Sequence, residues 1–388
     1  MSDTVGVGGV PQHAMRTAGR RATAFQGGQV STAELPEVSV GVPHDSDLDV
    51  VTRYDDATAQ DDCRHWAEVV QAGAGRTVVI AGTVLDAPDL RSAVLRLRTA
   101  ARAYARLDLS PADVLTHLDA LLVDVGELIR STCVYLVCDS LDDTVTCASA
   151  GHPPPLLCTP DGAVAPLPVL AGTTIGAGGA AFHDALAAAP AGSALAVLIG
   201  GVGPDLASGP RNLRLHSAEP AELTERLWEF VDAPGEGAVL VMATRPAGGQ
   251  GGVRVIELEL AEGDDPTRRA RAFCFGVLST WQLPAVLRDD IVLAVSELVA
   301  NALLHGGAAE QLRIRRTPRR VVVEVFDREP TMPRPRIADA DAESGRGLQL
   351  VRRVASRWGA RPVPDGKAVW CEFDLMSAAR IEPQPVPG

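Results

Sequence analysis

The chain has 388 residues, 46% apolar and 22% charged, which is enough for two domains that each bury a core of their own. Its formal net charge of −13 argues against general nucleic-acid binding, which draws its affinity from neutralised phosphates and released counterions. No run of about 18 uninterrupted apolar residues occurs, so no membrane span is expected, and Arg16, Arg20 and Arg21 precede no apolar segment of a secretion signal.

Residues 1–33, without period and rich in Gly, Ala and Thr, are expected to be disordered. The Gly-rich stretch 246–252 reads as a linker and the Pro-rich 377–388 as a loose tail. Between them the sequence predicts two folded blocks, 34–245 and 253–376. In the first, "RTVVIAGTV" (76–84) and "CVYLVCDSL" (133–141) read as strands, rich in Val and Ile. Residues 89–107 and 111–129 read as helices, the second opened by Ser110 as N-cap with Pro111 at the first helical position. "CASAGHPPPLLCTPDGAV" (147–164) predicts a stiff β-hairpin, with a strand ending in AGH, three prolines, a strand through LL and a PDG turn. Further strands are expected in "DTVTCASA", "SALAVLIGG" and "GAVLVMAT". The second block predicts a strand (253–260), helices (266–280 and 284–305), strands (310–316 and 320–327), a loop, a helix (345–357) and a strand (367–375).

Aromatic residues are scarce, so Ala, Val, Leu and Gly must fill the interior. Lys367 is the single lysine beside 35 arginines, a coding bias that points to a GC-rich bacterial source. Cys63, Cys133, Cys138, Cys147, Cys158, Cys274 and Cys371 form no CxxC pair; they read as small buried hydrophobes of a reducing cytoplasm.

The stretch "SELVANALLHG" (296–306) carries the first chemical signal. At helical period Ile291, Val295, Leu298, Val299 and Ala302 share one face, and Glu297, Asn301 and His305 line up on another. A plain surface helix would also put polar groups there. Downstream, however, a strand delivers Asp327 to its end, and "SGRGLQLV" sets glycines before an amphipathic helix, where backbone N–H groups can approach a phosphate. An Asp at a strand end can accept from an adenine amino group, an Asn can ligate Mg²⁺, and a Glu one turn away can serve as general base.

In this order and spacing the block from about 266 to 376 resembles the GHKL (Bergerat-fold) ATPases, and within them the anti-sigma-factor serine kinases of bacterial partner-switching systems. "SELVANALLHG" is similar to their N-box, "VFDREP" to their first glycine box, "SGRGLQLV" to the second and "DGKAVWCEF" to the closing strand. The resemblance implies ATP and Mg²⁺ as cofactors, with Glu297 as activating base, Asn301 as Mg²⁺ ligand and Asp327 as adenine reader. It also implies that Gly345, Arg346, Gly347 and Leu348 supply the phosphate-side backbone. Lys367 is expected either to reach a phosphate or to sit solvated in its turn, and His305 to be a helix-end residue. Where the family has Asp-x-Gly-x-Gly, this chain has Glu329 and Thr331 in place of the glycines, side chains that would crowd the adenine pocket.

The first block, about 34–245, resembles the SpoIIE-type PPM phosphatases through "AGHPPPLL", "LSPADVLTHLDALL" and "LPEVSVGVPHDSDLDVVTRYDDA". The resemblance implies an α/β sandwich of two antiparallel sheets, and in the family two Mn²⁺ or Mg²⁺ ions held by clustered carboxylates. Here those positions read Asp62 and His65 in "DCRH", Gly82 for a metal aspartate in "AGTVLDA", Gly200 for an acid in "IGG", and Glu236 in "EG". A shift of a few residues would bring in Asp61, Asp86 or Asp205. As aligned, a two-metal cluster does not assemble.

The expected fold is therefore α/β (α+β), a PPM-like sandwich followed by a GHKL sandwich. The expected protein is a cytoplasmic partner-switching regulator, an ATP-dependent serine kinase or anti-sigma module joined to a pseudophosphatase. Its expected partners are a STAS-domain antagonist, a sigma factor or both, without nucleic acid or membrane, and with room for a homodimer. The alternatives are a non-catalytic ATP-dependent binding protein and an active Mn²⁺- or Mg²⁺-dependent serine phosphatase.

Overall fold

The computed structural model describes residues 22–24, 48–54, 64–124, 128–200, 239–244, 254–260, 265–333 and 347–378. The linker 246–252 lies outside them, as does the tail beyond 378. Of the segment 1–33, only β1 (Ala22–Ala24) is described, and it pairs with β2 (Asp49–Tyr54).

The first domain is built on β-branched runs. β3 (His65–Gly73) and β4 (Arg76–Asp86) form a hairpin, and β5 (Arg130–Asp139), β6 (Thr144–Ala150) and β10 (Ala185–Ala188) extend it into one sheet, with β9 (Ala171–Gly172) paired to β6. β2 belongs to a second sheet with β7 (Leu156–Cys158), β8 (Val164–Pro166), β11 (Ala194–Ile199) and β12 (Val239–Thr244), in the order β1-β2-β12-β11-β7-β8. Val69, Val79, Leu136 and Val197 pack in the layer between the sheets. The other face of the first sheet is covered by α1 (Leu90–Ala105) and α2 (Pro111–Asp124), with Trp66, Leu97, Leu115, Leu118 and Tyr135 between them. Both faces of β3 are thus buried, Glu68 included, which ion-pairs with Arg98 (2.6 Å) and Arg102 (2.5 Å) of α1. As expected, Ser110 Oγ caps α2 by accepting from Asp113 N at 3.2 Å.

The expected hairpin through AGHPPP does not form. β6 stays in the first sheet while β7 pairs with β8 and β11 in the second, so the prolines carry the chain from sheet to sheet. Gly151 turns the backbone at φ +64°, and prolines without N–H groups cannot continue a ladder. The PDG turn does close β7 onto β8, with Gly162 N donating to Thr159 O at 2.8 Å.

The second domain is a five-stranded antiparallel sheet in the order β13-β14-β15-β17-β16: β13 (Arg254–Glu259), β14 (Gln311–Arg316), β15 (Arg320–Asp327), β16 (Arg357–Val363) and β17 (Gly366–Asp374). α3 (Pro266–Thr280), α4 (Ala285–Gly306) and α5 (Gly347–Val354) share one core with one face of it, and α6 (Leu375–Ala378) follows. Ile291, Val295, Leu298, Val299 and Ala302 of α4 are all buried there, as the period predicts. The helix expected to 357 ends at Val354, because the next residues enter β16 and pair with β17. Gly359 is required in β16, since a Cβ there would stand 2.6 Å from the Trp370 ring.

The sheet face turned away from these helices meets the first domain. The β3–β4 turn, Gly73-Ala74-Gly75, sits on Trp370, and Ala74 and Leu141 pack with Val322 and Trp370. Gly75 N donates to Glu372 Oε1 at 3.2 Å, and Arg357 donates to Gln71 O at 2.9 Å. Arg315, wholly buried, donates to Ala74 O (3.2 Å) and Asp142 (3.2 Å), and lies 2.7 Å from Glu324 Oε2 in an ion pair off the line of a hydrogen bond. Burial pulls the Glu324 carboxyl upward, but Arg315 and Arg361 together hold it below the ordinary carboxylate range.

Among the described residues no helix is long and apolar enough to cross a membrane. Cys133, Cys138, Cys147, Cys158, Cys274 and Cys371 are buried free thiols, and burial pushes Cys274 up to about 12. Arg315→Ala leaves Glu324 buried with one partner fewer and is expected to cost roughly 3–5 kcal/mol in urea unfolding of the full chain. Arg313→Ala, which removes a more exposed pair with Glu257, is expected to cost less than about 1 kcal/mol.

Candidate functional site

α4 and α5 meet at Glu297 and Gly347. A Cβ on Gly347 would lie 2.8 Å from Glu297 Oε2, so the carboxylate rests on the first residue of α5, where free N–H groups favour negative charge. Asn301, one turn further along α4, is half-buried like Glu297. Leu348 packs on the domain core and anchors the start of α5. Gly345 and Arg346 lie outside the described residues. His305 is exposed in the last turn of α4, a helix-end position.

Asp327 closes β15 at 3% exposure. Gly306, the last residue of α4, comes so near that a Cβ there would stand 3.0 Å from the Asp327 carboxylate. Lys367 lies directly opposite Asp327 in β17, and its Nζ donates to Asp327 Oδ1 (2.7 Å) and to Glu329 O (2.7 Å). The solvated turn expected for Lys367 does not match this placement at 4% exposure. The cause is register: an antiparallel pair sets opposite residues on one face. Glu329 and Thr331 bond each other, Thr331 Oγ1 donating to Glu329 Oε1 at 2.5 Å, and that bond holds the Glu329 carboxyl below its ordinary range. Glu297 and Gly347 thus meet at the start of α5, with Asn301 one turn along α4, and Asp327, Lys367 and Gly306 lie together at the end of α4.

The expected phosphatase positions fare differently. Asp62 and Glu236, with Asp61 and Asp205, lie outside the described residues. His65 is buried in β3, its Nδ1 2.9 Å from Thr83 Oγ1. Gly82 sits inside β4, where a Cβ would collide with Thr132 O and stand 3.0 Å from the Trp66 ring. An aspartate there has no room. Gly200 follows β11 at φ +75°. Asp86 is exposed at the end of β4. Among the described residues no group of three His, Cys, Asp or Glu could hold a metal ion.

Two family models match the chain. Residues 91–237 match the Stage II sporulation protein E family, and residues 262–373 match the histidine kinase-like ATPase domain. The chain joins a SpoIIE-type domain to a histidine kinase-like ATPase domain. The ATPase match spans Glu297, Asn301, Asp327 and Lys367, whereas the SpoIIE match begins after His65 and Gly82. No curated protein matches the chain. Among solved structures, the RsbU and RsbW domains of Rv1364c from Mycobacterium tuberculosis are 21% identical over 81% of this chain and 90% of that one, with a TM-score of 0.42. The PP2C phosphatase domain of SpoIIE with a fragment of its regulatory domain, from Bacillus subtilis, is 11% identical over 52% of this chain and 64% of that one, with a TM-score of 0.40. RsbX in complex with magnesium is 12% identical over 50% and 94%, with a TM-score of 0.39.

His152, in the SpoIIE-type domain, was not singled out from the sequence. It is buried, with Nδ1 2.7 Å from Pro153 O and Nε2 without a partner among the described residues. Burial lowers its pKa from 6.5 to about 4, so the folded chain holds it neutral while the unfolded chain protonates it first. Its contribution to stability is present above pH 6.5 and lost as the pH falls toward 4. Denaturant melts of His152→Gln are therefore expected to fall less steeply than wild type across that window.

Proposed function

We propose that the chain is a partner-switching regulator in which the ATPase domain binds MgATP and transfers its γ-phosphoryl to a serine of a STAS-domain antagonist, holds a sigma factor, or both. The domains extend over 34–245 and 253–376. What carries this reading is the meeting of Glu297 with Gly347 at the start of α5, with Asn301 one turn away, inside the segment that matches the ATPase family.

Asn301 offers an amide oxygen and Glu297 a carboxylate, donors suited to Mg²⁺ and to a serine proton respectively. Bound Mg²⁺ supplies charge neutralisation at the phosphates. Glu297 takes the serine proton, the backbone N–H groups at the start of α5 face the phosphates, and Asp327 faces the base. Positioning and charge stabilisation then do most of the catalysis. The SpoIIE-type domain recruits the phosphoprotein without hydrolysing it, a role supported by the closed position at Gly82.

Labelled phosphate is expected to pass from ATP to the partner serine, and Glu297→Ala to slow that transfer by about 10²–10⁴-fold while sparing MgATP binding. Equal transfer by the variant would remove Glu297 as the base. A second reading, partner capture without transfer, is favoured by the Lys367–Asp327 pair. It predicts a stable complex with the partner and no labelled product from either protein.

A further inference from the structure

The single lysine of the chain is placed at one point, against the carboxylate assigned to the nucleotide base. Asp327 and Lys367 face each other across β15 and β17, so both side chains leave the sheet on the side of α4. Oδ1 of Asp327 accepts from Lys367 Nζ at 2.7 Å and from Glu329 N at 3.0 Å. The two side chains are 5% and 1% exposed, and Gly306 closes on the carboxylate from the end of α4. Nζ is fixed a second time by Glu329 O, the backbone of a residue that stands where the resembling family has glycine.

An ionised carboxylate recognises an exocyclic amine only by accepting its hydrogen bond. Here Oδ1 already takes two donors, one of them a full positive charge, and a carboxylate paired with an ammonium is a weaker acceptor at its other oxygen as well. The amine of adenine is neutral, so taking the lysine's place would exchange a charge-assisted bond for a neutral one and strand a buried ammonium. Resting on the nucleotide reading of this site, we infer that Lys367 is its specificity-determining residue: the ammonium occupies Asp327, so the wild type does not read the adenine amine.

The test is titration of MgATP, and of Mg–purine riboside triphosphate, which lacks the amine, into the full-length wild type, Lys367→Arg and Lys367→Thr. Wild type and Lys367→Arg are expected to bind the two nucleotides equally and weakly. Lys367→Thr, with a hydroxyl in place of the cation, is expected to bind MgATP about tenfold tighter than wild type and to prefer it over the amine-free analogue. The wild-type comparison needs no substitution, so it stands even where Lys367→Thr does not fold. A wild type that prefers MgATP over the analogue by about tenfold, as an unoccupied Asp327 would, overturns the inference and leaves the nucleotide reading intact. Binding of neither nucleotide by any of the three proteins overturns that reading and the inference with it.

Discussion

The register of β15 against β17 is the constraint on which the second half of the molecule depends. From Arg320 opposite Asp374 to Asp327 opposite Lys367, the pairing is unbroken, and alternation sends successive side chains to opposite faces. Val321, Val323, Val325, Val369, Cys371 and Phe373 enter the core under the helices. Asp327 and Lys367 share their parity and meet at the end of α4. Val322, Glu324, Trp370 and Glu372 have the other parity and meet the first domain. A slip of one residue would exchange the two sets and lose the site and the domain seam together.

The seam joins apolar contact to a buried ion network. Trp370 fits because Gly73 and Gly359 lack side chains, and Arg315 brings its charge to Glu324 of its own sheet and to Asp142 of the other domain. Such ions contribute less net stability than their distances suggest, because both partners lose water; what they impose is geometry, since a displaced partner leaves a charge unpaired. The same logic governs Asp327 and Lys367. One turn, the Gly73-Ala74-Gly75 tip of β3–β4, touches strands whose ends carry the candidate nucleotide site, and the other end of that hairpin carries His65 and Gly82.

How much of this was legible in the sequence depends on what wrote the signal. α4 was readable because one face is buried and the other is not, so Ile291 to Ala302 keep a clean period. The Ser110 cap was readable because it is local chemistry. β3 was not, because "HWAEVVQAG" is buried on both faces and shows no alternation, its Glu68 being satisfied by arginines some 30 positions away. β16 was hidden behind an amphipathic helix, and its pairing is a tertiary fact. The prolines after AGH announced a turn correctly but could not say which sheet the next strand would join. The burial of Lys367 is illegible for the same reason: a lysine after Asp-Gly reads as solvated, and only the register sets it opposite Asp327.

The most direct measurement is a crystal structure of the full-length chain with Mg²⁺ and a non-hydrolysable ATP analogue. The account predicts the phosphates at the start of α5 near Glu297 and Asn301 and the base beside Asp327, with the Lys367–Asp327 bond kept. A nucleotide seated elsewhere, or an adenine amine that has taken the place of Lys367 Nζ on Asp327, would contradict it.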